Sequence, residues 1–241
     1  MNTRITNEVL RDLLKNRATI RREKQRVSFE EALQDVKQIG TFIMPDFTID
    51  ECNEFAYTNI TKWCVGDPSA LALTPEGKAA PASLTKGLYV YGNVGTGKSI
   101  MLDIFRTLCR FYGFRVRFAD ADPDDYTGLS AKEGPLAWET YRADTICEMV
   151  AESGSLREWK DIPVLCIQDF GSEPAEVVYM GNRRRVLRSI IEARGDFQNN
   201  ITILSSNVPP HHTADLYGDR VQSRLLQMCN VYRLEGKDRR K

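Results

Sequence analysis

Residues Gly92-Asn93-Val94-Gly95-Thr96-Gly97-Lys98-Ser99 spell G-x-x-x-x-G-K-[ST], and they restrict the fold more than any other stretch of the chain. Glycines at this spacing let backbone N–H groups turn inward around an anion. Lys98 is placed to reach β- and γ-phosphates, and the Ser99 hydroxyl to hold Mg²⁺. Such a loop works between a strand and a helix, because the helix N-terminus points its positive end at the phosphates. Both flanks comply. Leu88-Tyr89-Val90-Tyr91 is a short apolar and aromatic run, and Ile100 to Leu108 carry apolar residues at helical spacing. The pattern predicts a nucleoside triphosphate site over residues 92–100, taken as ATP with Mg²⁺.

The chain of 241 residues is long enough for one large α/β domain and a small extra one. No apolar run approaches the ~20 residues of a membrane span. The six cysteines (Cys52, Cys64, Cys109, Cys147, Cys166 and Cys229) form no C-x-x-C pair. They read as reduced residues of a cytoplasmic protein rather than metal ligands. Net charge is zero, but its distribution is uneven: residues 1–26 hold eight basic side chains against three acidic, and Arg233 to Lys241 hold five against two. Such clusters suit DNA phosphates or an acidic partner, and equally the solvated face of a helix.

Residues 1–66 read as a helical N-terminal domain. Ile5, Val9, Leu10, Leu13 and Leu14 share a helical face, and Ser28-x-x-Glu31 and Thr48-x-x-Glu51 are candidate capping boxes. Residues 67–86, with Pro68, Pro75, Gly77 and Pro81, read as a linker or surface loop. From Gly87 to Lys241 strands and helices alternate. Strands are expected over 88–91, 114–119, 164–169, 201–205 and 231–234, and helices over 98–112, 139–152, 183–194 and 219–228. Apolar strands separated by helices predict a parallel sheet covered on both faces.

Three further segments complete the candidate machinery. Val164 to Ile167 lead into Gln168-Asp169-Phe170-Gly171, the one good position for acidic residues at a strand end. Ile201 to Ser206 lead into Asn207, whose amide suits a γ-phosphate or an attacking water. In Tyr217-Gly218-Asp219-Arg220-Val221-Gln222-Ser223-Arg224-Leu225, Arg220 and Arg224 share a helical face. An arginine supplied to a γ-phosphate can be worth ~10³ to 10⁵ in rate.

The P-loop, the Q-D-F-G strand end, S-S-N and Y-G-x-R-x-x-S-R-L, in that order, resemble AAA+ ATPases of the DnaC/IstB type over residues 87–241. Gln168-Asp169-Phe170-Gly171-Ser172-Glu173-Pro174 is similar to that family's D-D-[LF]-G-x-E-P. The resemblance implies an AAA+ core, ATP with Mg²⁺, and homo-oligomers in which one subunit's arginine completes the next subunit's site. It makes Lys98, Asp169, Asn207 and Arg224 the catalytic set, with Asn207 a first sensor and Arg224 the arginine acting in trans. Arg220 is a neighbouring nucleotide contact, Arg240 lies near a second sensor position, and Ser99 and Asp169 hold the metal. It further implies a helicase loader in DNA replication, with residues 1–66 gripping the replicative helicase and the core meeting single-stranded DNA. Arg183, Arg184, Arg185 and Arg188 are candidate contacts to DNA or a neighbouring subunit.

One residue departs from the pattern. In the family register Gln168 replaces the acidic residue that supports Mg²⁺; shifting the register puts Phe170 where a water-activating acid belongs. Either way a carboxylate is missing, so binding with slow hydrolysis is expected. An IstB-like transposition helper is the alternative with the same core. A P-loop kinase acting on a small molecule is the reading from another class, but it needs no arginine pair after an S-S-N strand.

Overall fold

The computed structural model describes residues 20, 22, 24–118, 132–196 and 200–239. The apolar stripe from Ile5 to Leu14, most of the basic cluster of residues 1–26, and Arg240 lie outside them.

Most of the alternating run folds as its periodicity predicts; the helix expected over 139–152 starts only at Ala143, because Thr140–Arg142 form a strand. Strand β3 (Gly87–Gly92) feeds the glycine loop, and α3 (Lys98–Tyr112) leaves it. Strands β6 (Thr140–Arg142), β7 (Val164–Phe170), β10 (Ile201–Ser206) and β11 (Cys229–Leu234) complete a parallel set in the spatial order β11-β3-β10-β7-β6. Helices α4 (Ala143–Ser153), α5 (Arg157–Asp161), α6 (Val186–Asp196), α7 (Thr213–Tyr217) and α8 (Asp219–Met228) connect them. Successive strand residues face opposite sides. Leu88, Val90, Cys166, Ile203 and Tyr232 enter one core, and Tyr89, Leu165, Ile167, Leu204 and Val231 the other.

Helices α1 (Phe29–Ile43) and α2 (Glu54–Val65) do not stand apart as a separate unit. Ala32, Val36, Ala56, Tyr57, Ile60 and Trp63 are buried in the same core as Leu102 and Phe105 of α3. The expected boundary at residue 66 is therefore not a break in the core, although α2 does end there, on Gly66 in the left-handed region. Residues 67–86 are also more than a linker. Strands β1 (Leu71–Leu73) and β2 (Ala79–Pro81) pair antiparallel with each other, and β1 pairs with β11, extending the main sheet. The Ser28 capping box forms, with Glu31 N donating to Ser28 Oγ at 3.2 Å and Ser28 N to Glu31 Oε2 at 3.0 Å. The Thr48 box does not; Asn53 closes that turn instead, accepting from Asp50 N at 2.8 Å, and the helix starts at Glu54.

Two small hairpins also depart from expectation. The strand expected over 114–119 is β4 (Arg115–Phe118), paired antiparallel with β5 (Lys132–Pro135) off the main sheet. The helix expected from residue 183 begins at Val186, because residues 177–184 form the hairpin β8 (Val177–Tyr179) and β9 (Asn182–Arg184).

Candidate functional site

The glycine loop lies at the C-terminal end of the parallel strands, and its shape follows from its residues. Gly95 and Gly97 take φ of 81° and 93°, a region that side chains rarely enter. Thr96 Oγ1 donates to Asn93 O at 2.9 Å and closes the turn. Gly92 ends β3, Asn93 and Val94 stand exposed, and Lys98, Ser99 and Ile100 open α3. Lys98 is 6% exposed. Its Nζ donates to Gly92 O and Asn93 O at 2.8 Å each and to Asn207 Oδ1 at 2.7 Å. The last bond joins the P-loop to the strand end that the sequence marks as a sensor. It is possible because β10 is the strand directly beside β3.

Strand β7 lies on the other side of β10. Its register shifts between Leu204 and Ser206, and there Asp169 takes φ 57°, a strained backbone for a non-glycine residue. Asp169 N donates to Ser205 Oγ at 3.3 Å. Its carboxylate is not an isolated acid, since Oδ2 accepts from Arg142 NH1 at 3.0 Å. Arg142, at the end of β6, is also bound by Asp144, and the two carboxylates, Asp144 first, raise its pKa. Phe170 is buried between Tyr89 and Tyr217, with ring centroids at 6.5 and 4.6 Å, so it belongs to the core. Glu173 accepts from the Tyr217 hydroxyl and, at 2.9 Å, from Gly171 N. Burial beside Glu173 pushes the Tyr217 pKa far up. Glu173 thus buttresses the turn after β7.

Arg220 and Arg224 project from α8 and converge on one carboxylate. Arg224 NH2 pairs with Asp196 Oδ1, and Arg220 NH2 with Asp196 Oδ2 at 3.4 Å. Asp196 precedes the start of β10, whereas Asn207 follows its end. A six-residue strand is about 20 Å long, so the arginine pair sits well away from its own P-loop. The structure therefore brings Lys98 and Asn207 together, lines up Asp169 on the neighbouring strand, and leaves Arg220 and Arg224 elsewhere. Among the other arginines, Arg183 and Arg185 pair with Glu176, Arg184 with Gly154 O, and Arg188 with Glu192.

Sequence reasoning missed Arg142, Asp196 and the tail residue Asp238, whose carboxylate lies against Gly95. Each acts on a residue far away along the chain, so no local spacing announces it.

The residues fit a polyphosphate: a buried ammonium, the N-terminus of a long helix and positive-φ glycines face one mouth. They fit Mg²⁺ less well, since Ser99 offers a hydroxyl and Asp169 a carboxylate already paired with Arg142. No group of three or more His, Cys, Asp or Glu among the described residues suits a metal ion.

A parallel sheet with a strand between the P-loop strand and the acidic strand, flanked by helices, is the AAA+ type of P-loop fold. No family model matches the chain. Among solved structures, it shares the fold of the DnaC helicase loader, with a TM-score of 0.51 and 17% identity over 80% of this chain and 96% of that one. It is similarly close to a candidate primosome component from Streptococcus pyogenes serotype M3, with a TM-score of 0.50 and 21% identity over 82% of this chain and 87% of that one. The resemblance to DnaC-type proteins read from the motifs thus holds at the level of the fold. Among the described residues no helix is long and apolar enough to cross a membrane.

Proposed function

We propose that the chain is an ATP-binding AAA+ protein of DNA replication that loads a replicative helicase onto single-stranded DNA and hydrolyses ATP slowly. The observation that carries this reading is the 2.7 Å bond between Lys98 and Asn207, which joins a phosphate loop to a sensor position across adjacent strands. In this reading Lys98, the amides of residues 95–99 and Ile100 hold the phosphates. Ser99 and Asp169 are the residues that would hold Mg²⁺, which would supply positive charge to the phosphate oxygens. Asn207 orients the attacking water. Gln168 would offer the metal's waters a hydrogen bond but no charge, which would keep turnover slow.

Arg224, with Arg220 beside it, acts on the nucleotide of a neighbouring copy. Their distance from the P-loop of their own chain supports this. The segment up to residue 66 grips the helicase, and Arg183, Arg184, Arg185 and Arg188 are candidate contacts to DNA or a neighbouring subunit. Of the two similar structures, one is a candidate primosome component and the other a helicase loader, which supports the loader over a transposition helper. The test is capture of the host replicative helicase by the full chain, with and without ATP. Capture that depends on ATP supports the loader, and no capture in either state contradicts it.

A further inference from the structure

The chain's own tail lies across the phosphate loop. After β11 the backbone runs over the turn that precedes α2, where Glu235 N donates to Cys52 O at 3.1 Å. It then reaches the P-loop, where Arg239 N donates to Gly95 O at 2.9 Å. The Arg239 guanidinium grips Asp50 through NH2, at 2.8 Å to Oδ1 and 2.7 Å to Oδ2. Between these anchors the Asp238 carboxylate is pressed on the loop so closely that a Cβ on Gly95 would run into it. The Arg239 side chain covers Gly97 as well, at 3.7 Å from where a Cβ would stand. A carboxylate thus rests on a loop whose composition and backbone suit an anion, and both flanks of that carboxylate are tied down.

We infer that residues 235–239 form a strap whose Asp238 carboxylate competes with a nucleotide's phosphates, so that binding must lift the tail off the P-loop. The inference rests on the reading of residues 92–99 as a nucleotide site. Apparent affinity falls by the fraction of molecules whose site is open. A strap closed about nine-tenths of the time costs about tenfold in affinity. Lifting it also frees the loop at Asp50–Cys52, so the nucleotide state is passed to the helical side of the molecule that carries α1 and α2.

Charge alone and occlusion make opposite predictions for one variant. Arg239→Ala removes a positive charge near the phosphates, which by Coulomb attraction weakens anion binding, yet it also cuts the strap's anchor to Asp50. A fluorescent non-hydrolysable ATP analogue is titrated into the full-length wild type, Asp238→Asn, Arg239→Ala and Lys98→Ala. The strap predicts that Asp238→Asn and Arg239→Ala each bind about tenfold more tightly than wild type, and that Lys98→Ala does not bind. Equal binding by wild type and both tail variants overturns the strap and leaves the nucleotide site standing. Tighter binding by Asp238→Asn with weaker binding by Arg239→Ala overturns it in favour of simple charge. Absence of binding in every protein overturns the site and the strap together. Hydrogen exchange on the unmodified chain gives a second readout: saturating analogue speeds exchange at the Arg239 amide if the strap lifts, and unchanged protection there contradicts it.

Discussion

Lys98 and the arginines of α8 are the cations on which the proposed chemistry depends, and the molecule treats them in opposite ways. Lys98 is buried and satisfied by backbone carbonyls and Asn207 of its own chain. Arg220 is exposed and Arg224 half-buried; the Asp196 carboxylate holds both, and Arg224 NH1 also donates to Gln227 Oε1 at 2.8 Å. Arg194, two residues before Asp196 in the same helix, shows that a fixed arginine is built differently. It is 1% exposed and donates to the carbonyls of Trp159, Lys160, Ile162 and Ile201 and to Thr202 Oγ1. Burial lowers its pKa to about 9. A cation locked by many acceptors organises its own chain. A cation held only by solvent-facing side chains, such as Asp196 and Gln227, can change partners at small cost, as an arginine that serves a neighbouring copy must.

Four substitutions test this contrast, from the largest effect to the smallest. Arg224→Ala should lower ATP turnover of the assembled protein by about 10³-fold, the lower end of what a transition-state arginine supplies, without altering nucleotide affinity. Equal turnover would remove Arg224 from the site. Arg194→Ala should destabilise the fold by roughly 3 kcal/mol in urea titrations, because it leaves several buried carbonyls unpaired. Gln168→Asp restores a carboxylate beside the metal's waters and should raise turnover by about tenfold or more, and a wild type already as fast contradicts the slow-ATPase reading. Asp196→Ala should change stability by less than about 1 kcal/mol, since its ion pairs are partly exposed. A loss as large as that of Arg194→Ala would show that the arginine pair is structural.

How much of this was legible in the sequence depended on the range of the interaction. The P-loop is local, and the α3 helix it predicts over 98–112 is the helix observed, Lys98–Tyr112. Four of the five strands of the parallel set were readable because burial on both faces demands continuous apolar runs; β6 was not, since its three residues carry no apolar run and read as the start of the helix expected over 139–152. The segment Arg115-Val116-Arg117-Phe118 carried a different signal. It alternates exposed and buried residues, as a strand covered on one face should, and it lies off the sheet. Met180 and Gly181, both at positive φ between two short strands, are the turn of a hairpin that an arginine-rich run disguised as a helix start. Strands β1 and β2 were hidden because three residues apiece among prolines and glycines give periodicity nothing to register. The ion pairs of Asp169 with Arg142 and of Asp196 with Arg224, and the tail's hold on Asp50, join residues distant along the chain, and only the fold reveals them.

The most direct test of a site divided between two copies is complementation. Lys98→Ala cannot bind nucleotide but retains Arg224, and Arg224→Ala binds nucleotide but cannot complete a neighbour's site. Single-turnover ATP hydrolysis is measured for each variant alone and for an equimolar mixture. The account predicts that the mixture hydrolyses ATP well above either variant alone, because a Lys98→Ala copy lends its arginine to the P-loop of an Arg224→Ala copy. A mixture no faster than the average of the two variants contradicts it.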